Sequence, residues 1–184
     1  SALPDETCEV FKDFNLVTSG IKHGTVCVII NHLPVEITTF RIDGDYKDSR
    51  RPESVTFSPL IDEDLKRRDF TINALYLDCS GNVLDFHNGL KDLENKVIRT
   101  VGNPLERIKE DPTRILRAIR FMLKLNFSLD KDLEEVIKEN INLIKLISKE
   151  RINIEYKKML ENNEKDEILN IFNKFNFNLE DYLV

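Results

Sequence analysis

The chain has 184 residues, 41% of them apolar, with 27 lysines and arginines against 33 aspartates and glutamates for a net charge of −6. That content can bury one or two modest cores, and the acidic balance argues against a large, sequence-indifferent grip on nucleic acid while leaving local basic clusters able to meet phosphate. The longest unbroken apolar run, 26–30, is far short of the ~20 residues of a membrane-spanning helix, and no basic stretch followed by an apolar core opens the chain, so a cytoplasmic protein without membrane contact is expected.

Cys8, Cys27 and Cys79 are odd in number, far apart and free of Cys-x-x-Cys spacing, which points to a reducing compartment. His23, His32 and His87 are isolated, without the paired spacing of a metal site.

In chain order, residues 6–14 have the apolar spacing of a short helix. Residues 24–30 and 35–41 then read as a β-hairpin through Asn31-His32-Leu33-Pro34. On its second strand Val35, Ile37 and Thr39 point one way and Glu36, Thr38 and Phe40 the other, which sets Glu36 out of the sheet, toward solvent or toward a site. Residues 43–55 are polar, contain Gly44 and Pro52, and read as a mobile loop. Ser58-Pro59 opens a short helix ending near Arg67-Arg68, and Asp69 or Thr71 can cap the next one.

The run Arg67-Arg68-Asp69-Phe70-Thr71-Ile72-Asn73-Ala74 carries the first candidate site. Arg68 has a planar fork suited to two phosphate oxygens, Asp69 can accept from a ribose 2′-OH, and Asn73 lies on the same turn. A surface ion pair for Arg68 and a cap for Asp69 are compatible alternatives. Residues 74–78 and 83–86 form a second hairpin across Cys79-Ser80-Gly81-Asn82. The acids of 85–93 read as scaffold, and 97–101 is a last strand ended by Gly102-Asn103-Pro104.

Beyond it the pattern is entirely helical, over 105–109, 112–125, 130–140, 149–161 and 166–175. The fold class is therefore α+β: a mixed sheet-and-helix domain over 1–101 and an all-helical domain over 102–184. Asp111 is a favoured N-cap and Pro112 suits the first helical position, which puts Asp111 and Arg114 on one face. A carboxylate only accepts hydrogen bonds and a guanidinium only donates. Cytosine and adenine present an amino donor beside a ring-nitrogen acceptor and match that edge; uracil and guanine present the reverse. A mismatch leaves buried polar groups unpaired at roughly 1–3 kcal/mol each. Arg117 and Arg120 continue the row at steps of three, and their coincidence with Asp111 favours a pocket over a solvated helix face. With Arg50-Arg51 and Lys66-Arg67-Arg68 these form the basic clusters. Ser148 is placed to cap the helix at 149, with Arg151 where a capping-box glutamate would stand.

Ordered motifs across residues 1 to about 160 resemble the class II tRNA nucleotidyltransferases (CCA-adding enzymes) and the related bacterial poly(A) polymerases. They are Pro34-Val35-Glu36-Ile37-Thr38-Thr39-Phe40-Arg41, Asp43-Gly44-Asp45-Tyr46-Lys47-Asp48-Ser49-Arg50-Arg51-Pro52, the 67–74 run, and Asp85-Phe86-His87-Asn88-Gly89-Leu90-Lys91-Asp92-Leu93. Ile98-Arg99-Thr100-Val101-Gly102-Asn103-Pro104, Glu110-Asp111-Pro112-Thr113-Arg114-Ile115-Leu116-Arg117 and Ser148-Lys149-Glu150-Arg151-Ile152 complete the series.

The resemblance implies a partial nucleotidyltransferase head followed by a helical neck. It implies a templateless transfer of C and A from CTP and ATP to tRNA, with Mg2+ in the complete enzyme. Arg68, Asp69 and Asn73 would hold phosphate and ribose, Asp111 and Arg114 would read the base, Arg117 and Arg120 would brace it, and the 43–55 loop is associated with switching between C and A. In the family a Gly-Gly motif and an Asp-x-Asp metal pair precede a segment like Ser1-Ala2-Leu3-Pro4-Asp5-Glu6. Glu36 is then the remaining candidate catalytic carboxylate, and the sequence as it stands is expected not to catalyse by itself. Poly(A) polymerase, or a non-catalytic nucleotide- or RNA-binding half whose partner chain carries the missing motif, are the alternatives.

Overall fold

The computed structural model describes residues 2–44 and 54–183. The expected loop over 43–55 falls mostly outside them, as does the Arg50-Arg51 cluster. The chain forms two compact units that change over between Arg67 and Arg68. Helices dominate only after the strand Val97–Ile98, with one further two-residue strand at Ser128–Leu129, so compactness and secondary structure divide the chain at different places.

The first unit begins with α1 (Pro4–Val10), whose proline takes a position where no amide donor is needed. An antiparallel sheet follows, with β2 (Thr25–Ile30) between β1 (Asn15–Val17) and β3 (Leu33–Thr38). Its core is the apolar run of β2, where Val26 and Val28 are fully buried. The hairpin turn is tighter than the four residues expected: Ile30 stands opposite Leu33, leaving only Asn31 and His32, at φ 49° and 65°. Two left-handed residues match the twist of the flanking strands, and asparagine tolerates that conformation well. Pro34 is accommodated because β3 is an edge strand. β4 (Arg41–Asp43) and β5 (Val55–Phe57) form a separate antiparallel pair. α2 (Ile61–Lys66) is tied to β4 through Asp64, which accepts from the Arg41 N–H at 3.2 Å and from Arg67 Nε at 2.9 Å.

In the second unit Thr71–Asn73 make a 3-10 turn before the hairpin of β6 (Leu75–Leu77) and β7 (Val83–Asp85). The turn residue Asp78 accepts from the N–H groups of Ser80 and Asn82 and from the Asn82 side chain, which hold its carboxyl below the usual range. α3 (Gly89–Asn95) is started by Asp85, which accepts from Gly89 at 2.9 Å, Leu90 at 3.0 Å and His87 at 3.2 Å. Burial pushes the Asp85 carboxyl up, but these three donors outweigh it and leave it lowered. A lowered folded value means that the contribution is complete above the unfolded value, about 4, and is lost as pH falls through the folded one. Hydrogen exchange at the Gly89 and Leu90 amides should therefore accelerate selectively below about pH 4; protection independent of pH there would contradict this cap.

Gly89 lies so close to the preceding turn that an added Cβ would stand 2.3 Å from the Thr71 carbonyl oxygen. Gly89→Ala should destabilise the protein by roughly 1–3 kcal/mol, since a backbone oxygen cannot rotate away, and wild-type thermal stability in that variant would refute the close contact.

β8 (Val97–Ile98) leads to α4 (Pro104–Glu110) and α5 (Thr113–Leu125). Then comes β9 (Ser128–Leu129), parallel to β8, which corrects the expectation that everything beyond residue 101 is helical. Two residues carry no readable alternation, and the pairing needs α4 and α5 as its crossover. α5 ends at Asn126, left-handed at φ 53°, with the Phe127 N–H returning to the Met122 carbonyl at 3.1 Å. α6 (Lys131–Asn140), a 3-10 segment Ile141–Leu146, α7 (Lys149–Leu160), α8 (Lys165–Lys174) and a 3-10 turn Leu179–Tyr182 follow. Ser148 occupies the N-cap of α7 but its hydroxyl makes no cap bond. Ile115, Ile119, Leu133, Ile137, Ile144, Ile152, Ile168 and Phe172 interlock in one core, with α5 packed on α7. Among the described residues no helix is long and apolar enough to cross a membrane.

Candidate functional site

Asp69 is fixed before its side chain does anything. The backbone around it pairs with the strand after β8: the Val101 N–H donates to the Asp69 carbonyl at 3.1 Å and the Thr71 N–H to the Arg99 carbonyl at 2.9 Å. Beneath, the Thr71 hydroxyl donates to the buried Asp92 at 2.7 Å, and Arg99 joins Asp92 (3.2 Å) to Asp130 (2.7 Å). The acids of 85–93 are thus the scaffold of the 68–73 turn.

The Asp69 carboxylate does not cap that turn through its backbone. Oδ1 accepts from the Phe70 N–H at 2.9 Å and from Asn73 Nδ2 at 3.1 Å, and Oδ2 accepts from Arg117 Nε at 2.6 Å and Nη2 at 2.5 Å. Motifs 48 residues apart are so clamped together. All of the roughly four acceptor positions of a carboxylate are filled. Arg68 donates from Nη2 to the Tyr76 hydroxyl at 3.0 Å and lies 5.7 Å from the centre of that ring.

Asp111 sits between α4 and α5 with extended backbone, and its Oδ1 accepts from the Thr113 N–H at 3.0 Å, while Pro112 is already helical. The helix thus starts one residue later than the sequence predicts, with Pro112 in the cap position and Asp111 the residue before it, although the Asp111 carboxylate still receives the first helical N–H. Asp111 Oδ2 is 3.4 Å from Arg151 Nη2, a long contact. Arg114, 6% exposed, uses both N–H groups of Nη1, on Glu110 at 2.8 Å and on the Arg107 carbonyl at 2.5 Å. Its Nη2 and Nε have no partner among the described residues. The cap and the helix therefore keep one weakly used acceptor and one set of unused donors.

The three arginines of α5 do not form one cationic edge. Three residues fall about 60° short of a full turn, so the row fans out to three different acids: Arg114 to Glu110, Arg117 to Asp69 and Arg120 to Glu155. Arg120 Nε and Glu155 Oε2 are 2.7 Å apart, an ion pair by distance without hydrogen-bond angles. Both groups are about nine-tenths buried, and the Arg120 guanidinium lies 4.4 Å from the centre of the Phe121 ring. The Lys66-Arg67 pair is likewise neutralised, by Asp62 at 2.6 Å and Asp64 at 2.7 Å.

Residues that the sequence reading passed over complete the cluster. Arg107 pairs with Glu110 and donates from Nη2 to the Arg68 carbonyl at 2.8 Å. Its spacing of three from Glu110 on α4 was a readable signal. Arg151, 40 residues from Asp111, was named only within the 148–152 motif and in place of a capping-box glutamate, and neither pointed to Asp111. Glu36 belongs to the other unit, exposed on β3 opposite Cys27. Among the described residues no set of three His, Cys, Asp or Glu could hold a metal ion.

Comparisons with known proteins show the family of the chain and the fold it shares. A family model described as "Poly A polymerase head domain" matches residues 1–99, and one described as "Probable RNA and SrmB- binding site of polymerase A" matches 126–175. The CCA-adding enzyme of Lactobacillus helveticus (strain DPC 4571) is 50% identical over 159 residues, covering 86% of this chain and 39% of its own length. The chain thus spans about two fifths of the curated relatives it matches. A crystal structure of the Bacillus stearothermophilus CCA-adding enzyme in complex with CTP superposes with a TM-score of 0.85 at 37% identity, over 100% of this chain and 43% of that one. The Thermotoga maritima CCA-adding enzyme complexed with tRNA gives 0.75 at 25% identity, over 96% of this chain and 40% of that one.

Proposed function

Because the chain belongs to the poly A polymerase head domain family, we propose that it carries the nucleotide-selecting part of a cytoplasmic tRNA nucleotidyltransferase that adds C and A to the 3′ end without a nucleic-acid template. The observation that carries this is the pair beside the α5 start: Asp111 Oδ2, with a long 3.4 Å contact to Arg151, and the Nη2 and Nε of the buried Arg114, which have no partner among the described residues. An acceptor next to a donor, both anchored through their other atoms, suits the amino and ring-nitrogen edge of cytosine or adenine. Preorganised groups discriminate well because they have no solvated alternative once the site closes. That relatives over this same stretch are CCA-adding enzymes, one of them solved with CTP, supports the reading.

In this proposal the tRNA 3′-hydroxyl attacks the α-phosphate of CTP or ATP, forming a phosphodiester and releasing pyrophosphate. Arg68 meets the phosphates. Asn73 and Asp69 serve the ribose, and a hydroxyl accepted at Asp69 would replace the Asn73 amide there, since the carboxylate is otherwise full. Arg117 and Arg120 brace α5 through Asp69 and Glu155. The helical portion over 102–184 is the neck. The family implies a divalent metal, which we take to be Mg2+, supplying positive charge at the triphosphate, and we assign Glu36 to the catalytic side. The described residues do not by themselves fit such an ion, so the Asp-x-Asp pair is assigned to a segment of the protein or of a partner.

Arg68→Ala in the full-length protein should raise the KM for CTP and for ATP alike, by about tenfold or more, since a charge-assisted contact is worth roughly 1.5–3 kcal/mol. Incorporation into a tRNA lacking CCA measures it, and a defect confined to one nucleotide would rule out a phosphate role. The Asp111 and Arg114 edge fits adenine as well as cytosine, so poly(A) polymerase is the second reading. Incorporation of ATP without CTP would select it.

A further inference from the structure

We infer that a cavity of about 400 Å3 in the helical part of the second unit binds a ribonucleotide, base inward and phosphate on Lys138 and Lys174. It lies among α5, β9, α6 and α8 and shares no lining residue with the Asp69 and Asp111 cluster. The inference rests on this lining alone, and not on the reading of that cluster.

Met122, Leu129, Ile171 and Phe175 supply an apolar wall. Lys138 on α6 and Lys174 on α8 are exposed at the same cavity, and neither has a hydrogen-bond or ion-pair partner among the described residues. Glu134 also lines it and is equally unpartnered, although it precedes Lys138 by four residues, the spacing at which such pairs usually close. Three unspent chemistries therefore converge: two cations, one carboxylate acceptor and an apolar surface. Inorganic phosphate would leave the wall empty, and an acyl chain would leave Glu134 with nothing to accept. A ribonucleotide supplies all three complements, with a phosphate for the lysines, an amino or ribose hydroxyl donor for Glu134 and the flat face of a base for the wall. The volume lies at the small end of ligand sites, about 300–1,000 Å3, which suits one nucleotide and no more. That nucleotide could be free or one residue of an RNA strand, and the two sources differ in how many phosphates they bring.

The test is an amide chemical-shift titration of the chain with AMP, CMP and a short single-stranded RNA, in wild type and in a Lys138→Ala, Lys174→Ala variant, whose exposed substitutions leave the core intact. Saturable shifts are expected at Ser128, Leu129, Lys174 and Phe175, with an apparent Kd about tenfold weaker in the double variant, the sum of two exposed ion pairs. Mononucleotides binding as well as RNA would assign the free nucleotide as ligand, and tighter binding of RNA would assign the strand. No saturable shift at these amides with any of the three probes, or an unchanged Kd in the double variant, would overturn the inference. Shifts confined to the neighbourhood of Asp111 would do so while leaving the proposed function untouched.

Discussion

Glu155→Leu should lower stability by about 3–5 kcal/mol, because it strands the Arg120 guanidinium in the interior. For a chain of this size that corresponds to a fall in melting temperature on the order of 10 °C. Arg120 and Glu155 join α5 to α7, the helices that pack against each other in the main core, and their side chains are 11% and 7% exposed. Neither charge has water to fall back on. Lys158, 3.0 Å from the other Glu155 oxygen, loses its partner too, but it is solvated and should contribute little. Adding Arg120→Leu should recover most of the loss, since an apolar pair of similar volume needs no desolvation of charge. Thermal unfolding of the two single variants and the double variant closes the cycle. A loss under about 1 kcal/mol in Glu155→Leu would mean that the pair is effectively solvated. The same variants separate bracing from contact: if Arg120 only holds α5 in place, the double variant should keep its nucleotide preference.

Asp111→Ala should reduce the preference for CTP over UTP, and for ATP over GTP, by about ten- to a hundredfold, the worth of one buried acceptor–acceptor clash of roughly 1–3 kcal/mol. Uracil O4 would meet a methyl group in place of a carboxylate, so the rejected base loses its penalty while the accepted base loses its partner. Some loss of stability accompanies this, because Asp111 also caps α5 through the Thr113 N–H and caps are worth about 1 kcal/mol. Asp111→Asn separates the two: an amide oxygen still caps, and the outward group can then donate, which should shift preference toward uracil. Single-nucleotide incorporation by the full-length protein reads both. Unchanged discrimination in both variants would remove Asp111 from base selection.

What was legible in the sequence was whatever rests on local spacing. The hairpin of β2 and β3, the break at Asp111-Pro112 and the helical stripes each follow from a few adjacent residues, whereas the hairpin turn closes over two residues where four were expected. β9 was not legible, since Ser128-Leu129 acquire strand character only from a partner 31 residues away. The same holds for the site. Asp111 and Arg114 could be named from their spacing, but the partners that orient them are of two kinds. Glu110 lies four residues before Arg114, at the end of the preceding helix, close enough in sequence to be suspected. Arg151 on Asp111, Arg117 on Asp69 and Asp92 on Thr71 are joined only by the tertiary fold. The arginine row misled for a physical reason as well: steps of three on a helix of about 3.6 residues per turn rotate away from one face, and each guanidinium takes its own acid.

The most direct measurement is a crystal structure of the protein with CTP. The cytosine amino group should lie about 3 Å from Asp111 Oδ2, and Arg114 Nη2 or Nε at a similar distance from the ring nitrogen, with Arg114 still held by Glu110. Cytosine bound with its pairing edge turned to water or to other side chains would contradict the account.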